Sequence, residues 1–205
     1  MSREKQKRRT RTAILAAATE LIRAGREPTV AEVADAADVS RATAYSYFPS
    51  QQELLLEVTL EVRERDQVIE ALEAACAACG DDVIGRWEAF CRLLHDLVVR
   101  NEPVYRMMLR AQQDLWLEAN RRGDADSVVV RQARRLPAIE RVLAPLHGRI
   151  SESSYEQLVE GLAMVSGTEA LVVLKDICGA SSAQALERML WAGHTMIEAT
   201  AARSA

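Results

Sequence analysis

Between Thr29 and Leu55 the chain offers three helix starts in close succession, TVAEVADAADVSRATAYSYFPSQQELL. Thr29 follows Pro28 and precedes an apolar-periodic run, with Glu32 three residues on. That spacing is a capping box, in which side chains satisfy backbone N–H groups that the first helical turn leaves open. Val30, Val33, Ala34 and Ala37 then share one helical face. The run breaks at Asp38-Val39-Ser40, and Ser40 is placed to cap a second helix from Arg41 to Tyr47. Phe48-Pro49-Ser50 ends that helix, because the residue before a proline is disfavoured in the helical region. Ser50 and Glu53 repeat the capping-box spacing at the head of a third, long helix.

Two helices this short must cross steeply, and small Ala34, Ala37 and Ala44 suit such a crossing, with Val39 filling the corner. The pattern is that of a helix-turn-helix, whose second helix enters the DNA major groove. That second helix has little apolar periodicity and carries Arg41, Thr43, Tyr45, Ser46 and Tyr47. A helix so small and polar needs a partner outside the core; the plainer alternative is a helical hairpin with solvated faces.

The net charge of -4 does not point to nucleic acid, but its distribution does. Residues 1–50 hold 9 Lys and Arg against 6 Asp and Glu, while residues 51–205 hold 17 against 24. The first eleven residues carry Arg3, Lys5, Lys7, Arg8, Arg9 and Arg11 against Glu4, and residues 1–10 form a basic N-terminal arm expected to be unstructured without DNA. A basic end beside the helix-turn-helix and an acidic body fit phosphate contact at one end only; a merely solvated tail is the bland alternative. The start of the chain has no apolar segment after its basic residues, and no apolar run approaches a membrane span. The expectation is a cytoplasmic protein without membrane contact, its thiols reduced.

Glycine, proline and strand-like alternation are scarce, which predicts an all-α chain of about nine helices. The first runs from about Thr10 to Ala24, with Ile14, Leu15, Ala18, Leu21 and Ile22 as its stripe and Gly25 at its C-cap. After the helix-turn-helix, a single strut is expected from Gln51 to Ala78, then helices over Asp82–Arg100, Pro103–Arg121, Val128–Leu146 with a kink at Pro137, Ser151–Ile177 and Ser181–Ala202. The domain division is 1–50, a DNA-binding head with its arm, and 51–205, a helical effector-binding and dimerisation body.

The last two helices carry small-residue stripes, Ala163, Gly167, Ala170 and Leu174 on one and Leu186, Met189, Leu190, Gly193 and Ile197 on the other. The first has a second apolar face at Leu158, Leu162, Val165 and Val172. A terminal pair apolar on two sides needs two partners, so a homodimer through a four-helix bundle is expected; packing within one domain is the alternative. Specificity points the same way, since one recognition helix reads too few base pairs and a two-fold dimer doubles the site into a palindrome.

Taken together, these features resemble the TetR family of bacterial transcriptional regulators. The resemblance rests on Thr29, Val33, Ala34, Ala37, Val39, Ser40, Thr43, Tyr45, Tyr47, Phe48, Ser50, Glu53 and Leu54, against a family pattern T-V-x-x-I-A-x-x-A-G-V-S-x-x-T-x-Y-x-Y-F-x-S-K-E-x-L. It covers about the first 60 residues; beyond them only length and helical layout agree. By this resemblance Thr29 touches phosphate, Ser40, Arg41 and Thr43 face the groove with Arg41 as guanine reader, Tyr45 and Tyr47 meet phosphates or thymine methyls, and Phe48 is core. Two positions depart: the family's turn glycine is Asp38, and its phosphate-binding lysine after Phe-x-Ser is Gln51. The resemblance also implies a repressor that a small molecule releases from DNA. Candidate lining is Trp87, Phe90, Leu94, Met107, Met108, Gln112, Trp116 and Leu136, with His95 and Gln113 as further polar groups; ordinary core is the alternative for each.

Cys76-Ala-Ala-Cys79 has CxxC spacing but no second pair near it, so buried helix residues come before a redox sensor or a metal site. No phosphate loop, paired catalytic carboxylates or Ser/His/Asp order is present, and neither catalysis nor a cofactor is expected. Two alternatives stay open: a thiol-based redox regulator, and a helical binding protein whose head has lost DNA.

Overall fold

The computed structural model describes residues 3–65, 68–124 and 135–204, and every described element is helical. The order is α1 (Arg3–Arg23), α2 (Val30–Ala36), α3 (Arg41–Tyr47), α4 (Gln51–Arg65), α5 (Val68–Cys79), α6 (Val83–Arg100), α7 (Glu102–Arg121), α8 (Arg135–Leu143), α9 (Glu152–Met164), α10 (Gly167–Val172) and α11 (Ser182–Ser204). Among the described residues no single helix is long and apolar enough to cross a membrane.

The chain divides into two compact units. The first holds α1 to α4 together with α7; the second holds α5, α6 and α8 to α11. In the first unit Ile14, Leu15, Ala18 and Ile22 of α1 are buried with Val33, Ala34 and Ala44 of the helix-turn-helix and Leu54 and Val58 of α4. Each buried Val, Leu or Ile side chain among them contributes about 1.5–3 kcal/mol relative to exposure. Helix α7 packs along α4 and touches α1. Arg110 Nη1 pairs with Glu27 at 2.6 Å, and Arg23 Nη2 donates to Asn101 Oδ1.

The basic arm is not an unstructured tail. Residues from Arg3 onward are the first turns of α1, and the side chains of residues 4–9 are exposed. Lys, Arg, Gln and Glu are good helix formers, and Glu4 sits in the first turn where the helix dipole favours an acid.

In the second unit Trp87 and Phe90 of α6 form the centre, with Leu72 and Cys76 of α5, Ile139, Val142 and Leu143 of α8, Leu158 and Leu162 of α9, and Leu190 and Ile197 of α11. The helix expected over Val128–Leu146 is described from Arg135, where α8 leads into a 3₁₀ turn at Ala144–Leu146; residues 128–134 lie outside the described residues. Likewise the expected strut is α4 and α5, with residues 66 and 67 outside the description.

The helix expected from Ser151 to Ile177 is broken. α9 stops at Met164, and α10 restarts at Gly167, bent by 51°. Gly167 takes φ +78, a left-handed conformation open to glycine and strained for other residues. Arg135 fills the bend: its Nη1 donates to the carbonyls of Ala163 (2.9 Å) and Ser166 (2.6 Å), and its Nη2 pairs with Glu169 at 2.8 Å. α10 then runs into a π-helical turn, Val173–Ile177. The break at 165–166 divides one expected helix in two, and the described residues hold eleven α-helical segments.

The stripe assigned to α11 for association faces its own unit. Met189, Leu190, Gly193 and Ile197 are buried, and Leu186 is half-buried against the core. A Cβ on Gly193 would lie 2.0 Å from Trp87 Cε2, so glycine is what lets α11 approach the indole. On the preceding stripe Gly167 is buried beneath Arg135, and Ala163, Ala170 and Leu174 are half-buried. The large apolar side chains exposed among the described residues of this unit are others: Met164 (70%), Ile177 (79%) and Trp191 (70%), with Val173 and Ile69.

Candidate nucleic-acid interface

Local chemistry builds the helix-turn-helix in the way its spacing requires. Thr29 caps α2, its hydroxyl accepting from the Glu32 N–H at 3.2 Å while Glu32 Oε2 accepts from the Thr29 N–H at 2.8 Å. The Thr29 hydroxyl also donates to Glu32 Oε2, and Arg26 pairs with Oε1 at 2.8 Å. The backbone and hydroxyl hydrogen bonds from Thr29, aided by Arg26, hold the Glu32 carboxyl below its usual range. The cap is therefore complete at neutral pH and is lost only as pH falls through that lowered value. A phosphate contact by Thr29 would draw its hydroxyl proton away from Glu32.

The turn passes through Asp38 at φ +53, the only non-glycine residue with positive φ among those described. Aspartate is among the few side chains that enter this region at modest cost. The substitution of aspartate for the family's glycine thus leaves the turn in its left-handed form. Ser40 then caps α3, accepting from the Thr43 N–H at 3.1 Å, and its hydroxyl lies 2.7 Å from that of Thr43. The Ser46 hydroxyl donates to the Thr43 carbonyl at 2.7 Å.

Of the seven residues of α3 only Ala44 is buried, set against α2. Ser40, Arg41, Tyr45 and Ser46 are exposed; Thr43 and Tyr47 are half-buried, and Phe48 is core. The Tyr47 hydroxyl donates to the Lys7 carbonyl at 3.2 Å, which ties the end of α3 to the basic turns of α1. Lys7, Arg8 and Arg9 are exposed there. Arg11 is committed elsewhere: it pairs with Glu57 and stacks over the Phe48 ring at 5.7 Å. Gln51 spends its amide on the fold, donating to the Pro28 carbonyl at 3.1 Å.

Sequence reasoning missed the partner of Arg41. Asp35, in the last turn of α2, accepts from Arg41 Nη2 at 3.0 Å across the turn. That pair, with a contribution from Tyr45, raises the guanidinium above its usual range. The signal was present as an acid six residues ahead of the arginine, in a motif that folds those positions together.

The lining candidates fall in two sets. Trp87 and Phe90 are buried in the second unit, rings 5.7 Å apart, with Leu94 and Leu136 partly buried against them. Met107, Met108 and Gln112 are half-buried on α7 in the first unit, where Trp116 is half-exposed. Trp87 Nε1 and Gln112 Oε1 are buried without a hydrogen-bond partner. Among the described residues no three His, Cys, Asp or Glu side chains come together as a metal site. All four cysteines are free, and burial pushes the Cys76 and Cys91 thiols up.

A capped helix-turn-helix presenting a polar, solvent-facing second helix defines a DNA-binding head. Residues 14–58, which span it, match the model of the bacterial regulatory proteins of the tetR family. Residues 14–58 are thus a DNA-binding domain of the tetR type, and the chain that carries it is a DNA-binding transcriptional regulator. No curated protein matches it.

Proposed function

We propose that the chain represses transcription as a homodimer on a palindromic operator and leaves it when a small apolar molecule occupies its helical body. The observation that carries the reading is α3: seven residues with one buried side chain, fixed by a hydroxyl cap at its start and by Tyr47 near its end. In this reading Arg41 reads guanine, Ser40, Thr43, Tyr45 and Ser46 share the groove surface, and Lys7, Arg8 and Arg9 meet phosphate. Arg11 and Thr29 reach phosphate only by exchanging their acidic partners.

Dimerisation rests on Met164, Ile177 and Trp191, large apolar side chains left in water on mutually packed helices of the second unit. Exposed apolar patches of this kind mark association surfaces. Trp191→Glu should yield a monomer in sedimentation analysis; an unchanged dimer would move the interface elsewhere. Effector binding rests on the unpartnered Trp87 Nε1, since a buried donor is rarely left without an acceptor. Ligand and DNA then favour different states of one equilibrium.

The redox alternative needs a stabilised thiolate, and burial of Cys76 works against one. The remaining alternative, a head that has lost DNA, is separated by a gel shift on DNA from upstream of the chain's own gene. Salt-sensitive, sequence-dependent binding supports the repressor; no preferred sequence refutes it.

A further inference from the structure

We infer that Asp35, although outside the recognition helix, is a specificity-determining residue, and that the Asp35–Arg41 pair reads one G·C base pair in each half-site. The inference rests on the DNA-binding reading above. Arg41 is the first residue of α3, and the N-terminal residues of a recognition helix are those that reach base edges. Its Nη2 already donates to Asp35 Oδ2 at 3.0 Å, so the guanidinium reaches DNA with a carboxylate beside it. Both side chains are largely exposed, at 66% and 61%, and neither is held there by burial. Tyr45 lies one turn along α3 from Arg41 and interacts with its charge.

A carboxylate at this place cannot face a phosphate without repulsion. In the major groove it can face only a base-edge donor, the amino group of cytosine or adenine. Arginine prefers the two acceptors of guanine, O6 and N7. A fork of donors with an acceptor fixed at its side therefore matches the G·C edge, which shows two acceptors on guanine and one donor on cytosine. An A·T pair interleaves donor and acceptor differently and adds the thymine methyl, and so fits the pair less well. The ion pair also restrains a long side chain before DNA arrives, which lowers the ordering cost of the contact.

The test is selection of duplexes from a random-sequence library by the full-length wild type and by Asp35→Ala, Asp35→Asn and Arg41→Ala. Exposure of both positions leaves the fold intact, which circular dichroism checks. The wild type should enrich a motif with one invariant G·C pair per half-site. In Asp35→Ala and Asp35→Asn that position alone should lose about tenfold or more of its discrimination, and in Arg41→Ala the same position should become degenerate. Asp35→Ala should also bind non-cognate duplex more tightly, having lost a negative charge near phosphate. A motif unchanged in Asp35→Ala overturns the proposal while leaving DNA binding in place. Loss of a different position from that lost in Arg41→Ala overturns it as well. A wild type that enriches no motif overturns the DNA-binding reading and the proposal with it.

Discussion

Gly193→Ala should destabilise the protein although it replaces glycine by the best helix former inside a long helix. Alanine in place of glycine gains about 1 kcal/mol in a helix interior. Against that gain stands Trp87. A Cβ at position 193 would lie 2.0 Å from Cε2, 2.1 Å from Nε1 and 2.4 Å from Cζ2, where contacting heavy atoms rest near 3.5–4.0 Å. The indole is fully buried and lies tilted against the Phe90 ring, so it has no solvent to move into. Either α11 or the ring must shift, and overpacking of a filled core costs about 1–3 kcal/mol. With a contact this short the cost lies at or above the top of that range, leaving a net loss of about 2 kcal/mol. Urea unfolding at fixed protein concentration, followed by circular dichroism, measures it. In a Trp87→Leu background the same change should be neutral or stabilising by up to about 1 kcal/mol, because the clash is gone. A Gly193→Ala variant more stable than the wild type would refute this packing. Unchanged stability with a weakened dimer would return the stripe to the association surface that the sequence suggested.

Two further substitutions probe the departures in the head. Asp38→Gly should stabilise the fold by up to about 1 kcal/mol, because the left-handed turn no longer strains a side chain; thermal unfolding that shows a loss would contradict the turn geometry. Gln51→Lys should tighten DNA binding and steepen its salt dependence by about one charge, at the expense of the hydrogen bond to Pro28. A salt slope equal to that of the wild type would place position 51 away from phosphate.

Legibility in the sequence followed the range of the interactions involved. Thr29 with Glu32, Ser40 with Thr43, and Ser50 with Glu53 are contacts three residues apart, and the head they build was readable from spacing. Asp38 in the turn was readable for the same reason. The break before α10 was not, because it depends on Arg135, which comes from a distant segment to take the carbonyls of Ala163 and Ser166. Nor was the inward face of α11. That helix carries apolar residues on more than one side, and periodicity finds stripes without saying which one meets Trp87. The arm was misread because its charges suggested a solvated tail, while the same residues are good helix formers with α1 directly behind them. At the start of α3 the arginine was legible and its carboxylate partner was not, since the pairing forms only when the turn folds α2 back over the start of α3.

The central claim, that α3 reads DNA sequence, is tested most directly by titrating the wild type and Arg41→Ala into two labelled duplexes over a series of salt concentrations. One duplex carries DNA from upstream of the chain's own gene and the other a scrambled version of it. The wild type should prefer the upstream duplex, with affinity for both falling as salt rises. Arg41→Ala should lose about 1–3 kcal/mol of that preference while keeping most of its affinity for scrambled DNA. Equal binding of both duplexes by the wild type, or a preference untouched by Arg41→Ala, would contradict the account.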